Sequence, residues 1–383
     1  MNKEIQIAVV GAGPAGCTAA ETAANCGAEV VLIERKSEIG TPVQCGGFLP
    51  EAHELQALIP RARLPQTLQE IPERCILQRT RLQRIISPSG KANEFSVAGR
   101  VLDRRAFDRL LAHRAARAGA QILPATRADL VDSSLWLSGR FPGSIRPKVI
   151  VGADGPSSTI SRAIGNNVGE QGICLEYEMV DVDIDPDAAE MYFSARYAPG
   201  GYAWIIPLGH DIANVGVGVR RAYLGDLRLP DLLDSFVKEH PIASSKLSHG
   251  EVLAVMRGLV PAGGSPQEVQ LGNMLLAGDA AGHVMATSGG GIPLAVVAGR
   301  IAGEIAAGHM LGELSLHEYK LRIAKEFGTE LNRSVQIRRI VDMAMRSDRL
   351  MNALLAALSP EQMKSVMRAQ IPAALAQFGK SQN

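Results

Sequence analysis

The chain has no cysteine pair at the spacing that holds zinc or a redox disulfide. Its five cysteines, Cys17, Cys26, Cys45, Cys75 and Cys174, are odd in number and scattered, which argues against a disulfide framework and fits a reducing, cytoplasmic setting. Net charge is also nearly missing, with 40 basic against 39 acidic side chains. That balance argues against nucleic acid as a main partner. No run reaches the roughly eighteen apolar residues of a membrane-spanning helix, so any membrane contact is peripheral, on the cytoplasmic face. From Met1 the chain passes straight into an apolar strand at Ile5 without the parts of a signal peptide. No His/Asp/Glu grouping has metal-ligand spacing, so no metal is expected, and no serine sits in a nucleophile elbow. Internal repeats and low-complexity tracts are absent.

What is present is patterned. Ile5 to Val10 reads as a buried parallel strand, Pro14 to Cys26 as an Ala-rich helix and Glu29 to Ile33 as the next strand, together one βαβ crossover. Between strand and helix stands Gly11-Ala12-Gly13-Pro14-Ala15-Gly16, a GxGxxG sequence in the context that the motif requires. Gly11 permits the tight turn, Gly13 lets a pyrophosphate approach the backbone, and Gly16 lets the helix pack on the sheet. Ala15 lies within the turn. Glu34, closing the second strand, is placed to accept ribose hydroxyls, with Arg35 beside it.

Further along, Leu82 to Ile86 alternates and Pro88-Ser89-Gly90 signals a hairpin; a helix follows Leu102 and a strand spans Ala120 to Leu123. Val149 to Val151 is a buried strand ending at Gly152-Ala153-Asp154-Gly155. The stretch from Gly172 to Val260 is strand-rich, with strands expected at Met191 to Arg196, Tyr202 to Pro207 and Ala213 to Val219. Asn273 to Ala277 is another buried strand, entering Gly278-Asp279 and a glycine-rich turn through Gly290, Gly291 and Ile292. A helix is expected from Leu294 to Ala307, and Ser315 to Phe378 reads as helical, with Ser359 capping a start at Pro360.

Gly152 to Ser158 and Leu276 to His283 resemble the second and third signatures of the para-hydroxybenzoate hydroxylase-like flavoproteins. The resemblance implies FAD as the cofactor, with Asp154 and Gly155 in the second signature and Gly278 and Asp279 in the third, Asp279 on the ribityl chain or ribose. Arg104, in Arg-x-x-Phe-Asp with Phe107 and Asp108, matches a flavin-contacting segment of that group; its alternative reading is a surface charge at a helix start. His283 reads as a surface group without a role.

Two more motifs narrow the family. Gly40-Thr41-Pro42-Val43-Gln44-Cys45-Gly46-Gly47 resembles the cysteine loop of archaeal-type geranylgeranyl reductases. Tyr197 to Pro207 resembles their Tyr-x-Trp-x-Phe-Pro signature, here Tyr202-Ala203-Trp204-Ile205-Ile206-Pro207, with Ile206 where the family has Phe. The likeness spans Glu4 to Ala307. It implies an α/β chain, α+β overall: a Rossmann-type FAD-binding domain (residues 1–50, 98–165 and 265–310), an interleaved antiparallel-sheet substrate domain (51–97 and 166–264) and a C-terminal helical region (311–383). The implied activity is saturation of double bonds in a polyprenyl chain of a membrane lipid precursor or prenyl diphosphate. Cys45, Gly46 and Gly47 would approach flavin and substrate.

An isolated alkene has no activating carbonyl, so hydride delivery must be matched by a positioned acid in a groove that excludes water. Cys45 and Tyr202 are the candidate acids, beside an ordered water; inert packing is the alternative for Cys45. Tyr202 and Trp204 alternate on a strand and so share a face, where they would shape an isoprenoid groove or pack in a core. A single GxGxxG leaves the reductant, NAD(P)H or ferredoxin, open. Arg61, Arg63, Arg79, Arg81 and Arg84 could meet a phosphate but read better as solvated charges. Leu350, Met351, Leu354, Leu355 and Leu358, at helical spacing, read as docking on the body of the protein, with a lipid-surface contact as the alternative. Two other functions share these signatures: an aromatic hydroxylase using NAD(P)H and oxygen, and a flavoprotein that binds a prenyl lipid without turnover.

Overall fold

The computed structural model describes residues 3–167 and 169–381; Met1, with the start of the chain, lies outside them. In chain order the strands are β1 (Lys3–Val10), β2 (Val30–Ile33), β3 (Phe48–Pro50), β4 (Ile76–Ile86), β5 (Ala92–Leu102), β6 (Gln121–Leu123), β7 (Thr126–Val131), β8 (Ser134–Gly139) and β9 (Gly143–Gly152). There follow β10 (Gln171–Val180), β11 (Ala188–Tyr192), β12 (Tyr202–Pro207), β13 (Ile212–Arg220), β14 (Glu251–Pro261), β15 (Gln270–Leu271) and β16 (Met274–Leu276). They form two eight-stranded sheets.

The first sheet runs β15-β16-β9-β1-β2-β6, its core strands parallel, with the hairpin β7/β8 added through β8 alongside β9. From β1 the chain steps outward to β2 and later returns to β9 on the other side, so β1 and β9 flank the point at which strand order reverses. In such sheets ligands bind at the carboxyl ends beside that point. The fully buried Val30–Ile33 has apolar side chains on both faces, as a covered parallel strand needs. The helices Pro14–Asn25 and Ile292–Met310 pack together on this sheet, and their approach is close: a Cβ on Gly299 would lie 2.2 Å from the carbonyl oxygen of Ala15.

The second sheet runs β14-β10-β13-β12-β11-β4-β5-β3. The β4/β5 hairpin joins it by parallel pairing of β4 with β11. Residues 221–247, expected within a strand-rich stretch, contain three helices. In the longest, Leu229–Glu239, Leu232, Leu233, Phe236 and Val237 are buried at helical spacing, which overrides the surrounding strand pattern. The strand expected at Met191 to Arg196 is β11, ending at Tyr192. The hairpin β7/β8 was not anticipated.

The C-terminal helices Asp348–Ala356 and Pro360–Met367 lie over the outer half of the second sheet. Met351, Leu354, Leu355 and Leu358 are each at most 7% exposed and pack with Ile85, Phe95, Val97, Met191 and Phe193. At about 1.5–3 kcal/mol for each buried side chain, this docking accounts for the apolar stripe. Ser359 caps the second helix: its Oγ accepts from the Gln362 amide while Gln362 returns a bond to the Ser359 amide.

Candidate active site

Four turns meet at the carboxyl ends of the parallel strands, because Val10, Ile33, Gly152 and Leu276 are level in register. Gly11 has φ +101°, and a Cβ there would lie 2.2 Å from the Ala153 carbonyl oxygen. Gly16 would collide with the Gly11 oxygen at 1.8 Å, whereas a Cβ on Gly13 has nothing within 4 Å. Glu34 accepts from the Ala12 amide at 2.7 Å and the Lys36 amide at 2.9 Å, which fixes both carboxylate oxygens beside the GxGxxG turn. Arg35 is exposed. Ala15 is 5% exposed and serves the close helix packing described above.

Asp154 spends its carboxylate within its own turn. It accepts from Ser158 Oγ (2.5 Å), the Thr159 amide (2.6 Å) and Thr159 Oγ1 (2.9 Å), holding the start of the helix Thr159–Ala163. Gly155, at φ +82°, has open space at its Cβ position. Asp279 is different: no side-chain hydrogen bond reaches its carboxylate among the described residues, and burial raises its pKa to about 6, opposed by Arg104. A recessed carboxyl without a protein donor, and glycines whose Cβ positions are vacant, fit a dinucleotide whose pyrophosphate crosses the turn and whose hydroxyls need acceptors.

Beyond this turn a cavity of about 380 Å³ extends across the second sheet. Its inner wall includes Cys45, Gly46, Gly47, Tyr202, Trp204, Gly290, Gly291 and Ile292, joining residues from three separate motifs. The local geometry explains the pattern. Trp204 pairs with Gly216 and Tyr202 with Gly218 across β12 and β13; a Cβ on Gly216 would sit 2.3 Å from the indole, so glycine lets the ring lie over β13. Trp204 Nε1 donates to Asn214 Oδ1 (2.7 Å), and Asn214 Nδ2 donates to Glu176 Oε2 (3.0 Å). The cysteine loop rests on this chain: a Cβ on Gly46 would lie 2.7 Å from Ile206 Cδ1 and 3.1 Å from Asn214 Oδ1. Gln44 pins the loop to β14 by donating to the Arg257 carbonyl at 2.8 Å.

Tyr202 and Trp204 do share a face, with ring centroids 5.9 Å apart. The Tyr202 hydroxyl, however, donates to the Ser288 carbonyl at 2.5 Å, and burial, then Cys174, Cys45 and Glu176, raises its pKa. Its proton is thus committed to the main chain. Arg104 is no surface charge: its side chain is 15% exposed, bonds bidentately to Asp108, and lies against Cys45.

Sequence reading missed Glu176, Asn214 and Cys174. Glu176 is 3% exposed on β10, between β14 and β13, and an acid between apolar neighbours in a strand was the available signal. Burial raises its pKa to about 7, against the Asn214 hydrogen bond and the Arg104 charge; burial likewise pushes Cys174 up to about 12. His283, expected at the surface, is fully buried with an edge-on contact to Phe327, and burial lowers its pKa to about 3. The five arginines considered for a phosphate are all ion-paired: Arg61 to Glu330, Arg63 to Glu304, Arg79 to Glu51 and Glu73, Arg81 to Asp187, and Arg84 to Glu94, Asp185 and Glu190. None lines the cavity. Among the described residues, no group of three or more His, Cys, Asp or Glu side chains could hold a metal ion, and no helix is long and apolar enough to cross a membrane.

A Rossmann-type sheet carrying this turn set, with an apolar cavity opening from it, defines an FAD-dependent oxidoreductase. A family model described as FAD dependent oxidoreductase matches residues 6–138, and one described as geranylgeranyl reductase catalytic domain matches residues 170–260. A digeranylgeranylglycerophospholipid reductase of Methanothermobacter thermautotrophicus is 33% identical over 380 residues, covering 94% of each chain. Another, from Methanopyrus kandleri, is 38% identical over 305 residues, 77% of this chain and 78% of that protein. The chain therefore belongs to the geranylgeranyl reductase family. The crystal structure of a geranylgeranyl bacteriochlorophyll reductase-like protein from Thermoplasma acidophilum superposes with a TM-score of 0.86 at 25% identity, covering 100% of both chains. A flavin-dependent brominase shares the fold alone (TM-score 0.74, 16% identity, 99% of this chain and 98% of that one).

Proposed function

We propose that this protein saturates carbon–carbon double bonds of a geranylgeranyl or longer polyprenyl chain carried by a membrane-lipid precursor. The observation that carries the reading is the cavity: it begins at Cys45 and the Gly289–Gly291 turn and continues between the second sheet and the C-terminal helices past Val97, Met191, Phe193, Leu354 and Leu358. A flexible, apolar chain fits such a lining and, once seated, would displace water from the reacting end. Bound FAD, once reduced, supplies the hydride; the protein holds the alkene against it. Cys45, Trp204 and Glu176 supply polar groups to that inner wall, and Asn214 links Trp204 to Glu176.

The test is anaerobic. Dithionite-reduced protein mixed with a geranylgeranyl-bearing glycerophospholipid should yield products heavier in steps of two hydrogens. Normal flavin reduction with no mass gain would overturn the reading; substrate-stimulated oxygen consumption with aromatic compounds would then identify a hydroxylase, and stoichiometric lipid binding without alkene loss a carrier.

The cations lining the cavity differ in how they are matched. Arg220 and Arg338 are matched by Glu170 and Asp342. Among the described residues Lys364 and Arg368 share one carboxylate, Glu54, Lys364 also donating to the Ser96 carbonyl, and they are 25% and 30% exposed. We propose that this surplus positive charge meets the substrate phosphate. Lys364→Ala with Arg368→Ala should raise KM about tenfold for a phosphate-bearing substrate and leave KM for the corresponding prenyl alcohol unchanged, in the range of a charged hydrogen bond. Equal effects on both substrates would refute the placement.

Cys45→Ala should retain flavin yet reduce prenyl chains about 10–100-fold more slowly or stop at partly reduced products, since a misplaced alkene costs factors of this size. Wild-type rate and product distribution would make Cys45 a packing residue.

A further inference from the structure

The alkene needs a proton as well as a hydride, and the two acids visible in the sequence are constrained: Tyr202 gives its hydrogen to Ser288, and Cys45 receives the Gly47 amide at 3.4 Å and lies against Arg104. Of the four carboxylates that line the cavity, Glu54, Glu190 and Asp342 are ion-paired. Glu176 also lines the cavity, is 3% exposed and, among the described residues, has no ion-pair partner. Its Oε2 accepts from Asn214, and no hydrogen-bond partner reaches Oε1 among the described residues.

We propose that Glu176 is the catalytic acid, delivering its carboxyl proton to the alkene carbon that does not receive hydride. The inference rests on the reductase reading. The electron balance is simple: the π bond is consumed, one C–H bond forms with the hydride from reduced flavin, a second forms with the Glu176 proton, and the Glu176 O–H bond breaks. The carboxylate is then reprotonated from solvent between turnovers. Burial favours the neutral acid, and its neighbours fix its orientation. Asn214 is held by Trp204 so that its amide donates to Oε2, leaving the other oxygen to carry the proton toward the cavity. Among the described residues, Cys174, on the same strand, and Tyr202, on β12, are titratable groups that feel its charge and that of Cys45, and Arg104, from the helix Arg104–Arg117, is the charge that opposes its burial. Burial outweighs Arg104, and the carboxyl titrates near 7. A raised carboxyl pKa keeps the acid form below about pH 7 and loses it as pH rises through that value.

Three measurements test this. Single-turnover reduction of a prenyl lipid by dithionite-reduced wild-type protein should slow above about pH 7. Glu176→Gln should keep its flavin absorbance and substrate affinity, react about 10²–10³-fold more slowly, as loss of a general acid entails, and lose that pH dependence; Glu176→Asp should recover part of the rate. Independently of turnover, the infrared spectrum of the wild type should show a protonated carboxyl band at pH 6 that disappears by about pH 9 and is missing in Glu176→Gln. An unchanged rate and pH profile in Glu176→Gln overturns the proposal. Should that variant fail to fold, the wild-type spectrum decides, and a carboxyl already ionised at pH 6 overturns it. Failure of the wild type itself to reduce any prenyl chain defeats the reductase reading instead, a different result from a wild type that reduces and a Glu176→Gln variant that reduces equally well.

Discussion

Gly13→Val is expected to give a folded, colourless protein. Its backbone, at φ −78° and ψ −175°, is extended and open to any residue, and a Cβ there meets no protein atom within 4 Å. The added methyls therefore enter only the space in which a pyrophosphate would approach the amides at the start of the helix Pro14–Asn25. Loss of a glycine cap costs only about 1 kcal/mol, so circular dichroism should match the wild type while the flavin-to-protein absorbance ratio falls to the baseline. Gly16→Val is the control with the opposite signature. Its Cβ would collide with the Gly11 carbonyl at 1.8 Å, so the crossover itself should break and soluble yield collapse. A yellow, flavin-saturated Gly13→Val protein would remove the pyrophosphate from this turn.

Glu190→Leu should cost about 3–5 kcal/mol of stability, the range for stripping one partner from a buried ionic cluster. Glu190 is 3% exposed and receives Lys246 Nζ on both oxygens at 2.8 Å, Arg84 Nη1 at 3.1 Å and the Tyr192 hydroxyl at 2.6 Å. This one carboxylate joins β11 to β4 and to the helix Ala243–Leu247. Arg84 would retain Glu94 and Asp185, but Lys246 and the Tyr192 hydroxyl would be left facing an apolar side chain. The urea midpoint should drop accordingly, and adding Lys246→Met should restore part of the loss, because a paired removal leaves no uncompensated charge. A midpoint within the error of the wild type would show that the cluster is solvated enough to be energetically neutral.

Both predictions concern residues whose legibility in sequence differs. The GxGxxG turn could be read directly because its chemistry is local: a strand, a turn that tolerates only glycine at Gly11, and a helix start lie within a few consecutive residues. The same holds for the β12 alternation of Tyr202 and Trp204 and for the Ser359 cap, each fixed by backbone period or by a bond three residues away. The ion pairs of Glu190 were invisible, since they join residues more than fifty positions apart. Helices at residues 221–247 were hidden by apolar residues that suit either period when read in short windows. Asp154 matched a signature by residue type, yet its oxygens turned inward to Ser158 and Thr159.

The sequence by itself determined the dinucleotide crossover, the flavoprotein class and the family, because these rest on short contiguous motifs whose geometry follows from local backbone preference. Only the tertiary structure decided which residues face one another across the cavity. It turned the C-terminal apolar stripe into the cavity's roof, set the cysteine loop on Trp204 and Asn214, buried His283, and placed Glu176 at the inner wall. These outcomes depend on strand register and on burial between distant segments, and the energy of a buried charge is set by what surrounds it in space, not by its neighbours in the chain.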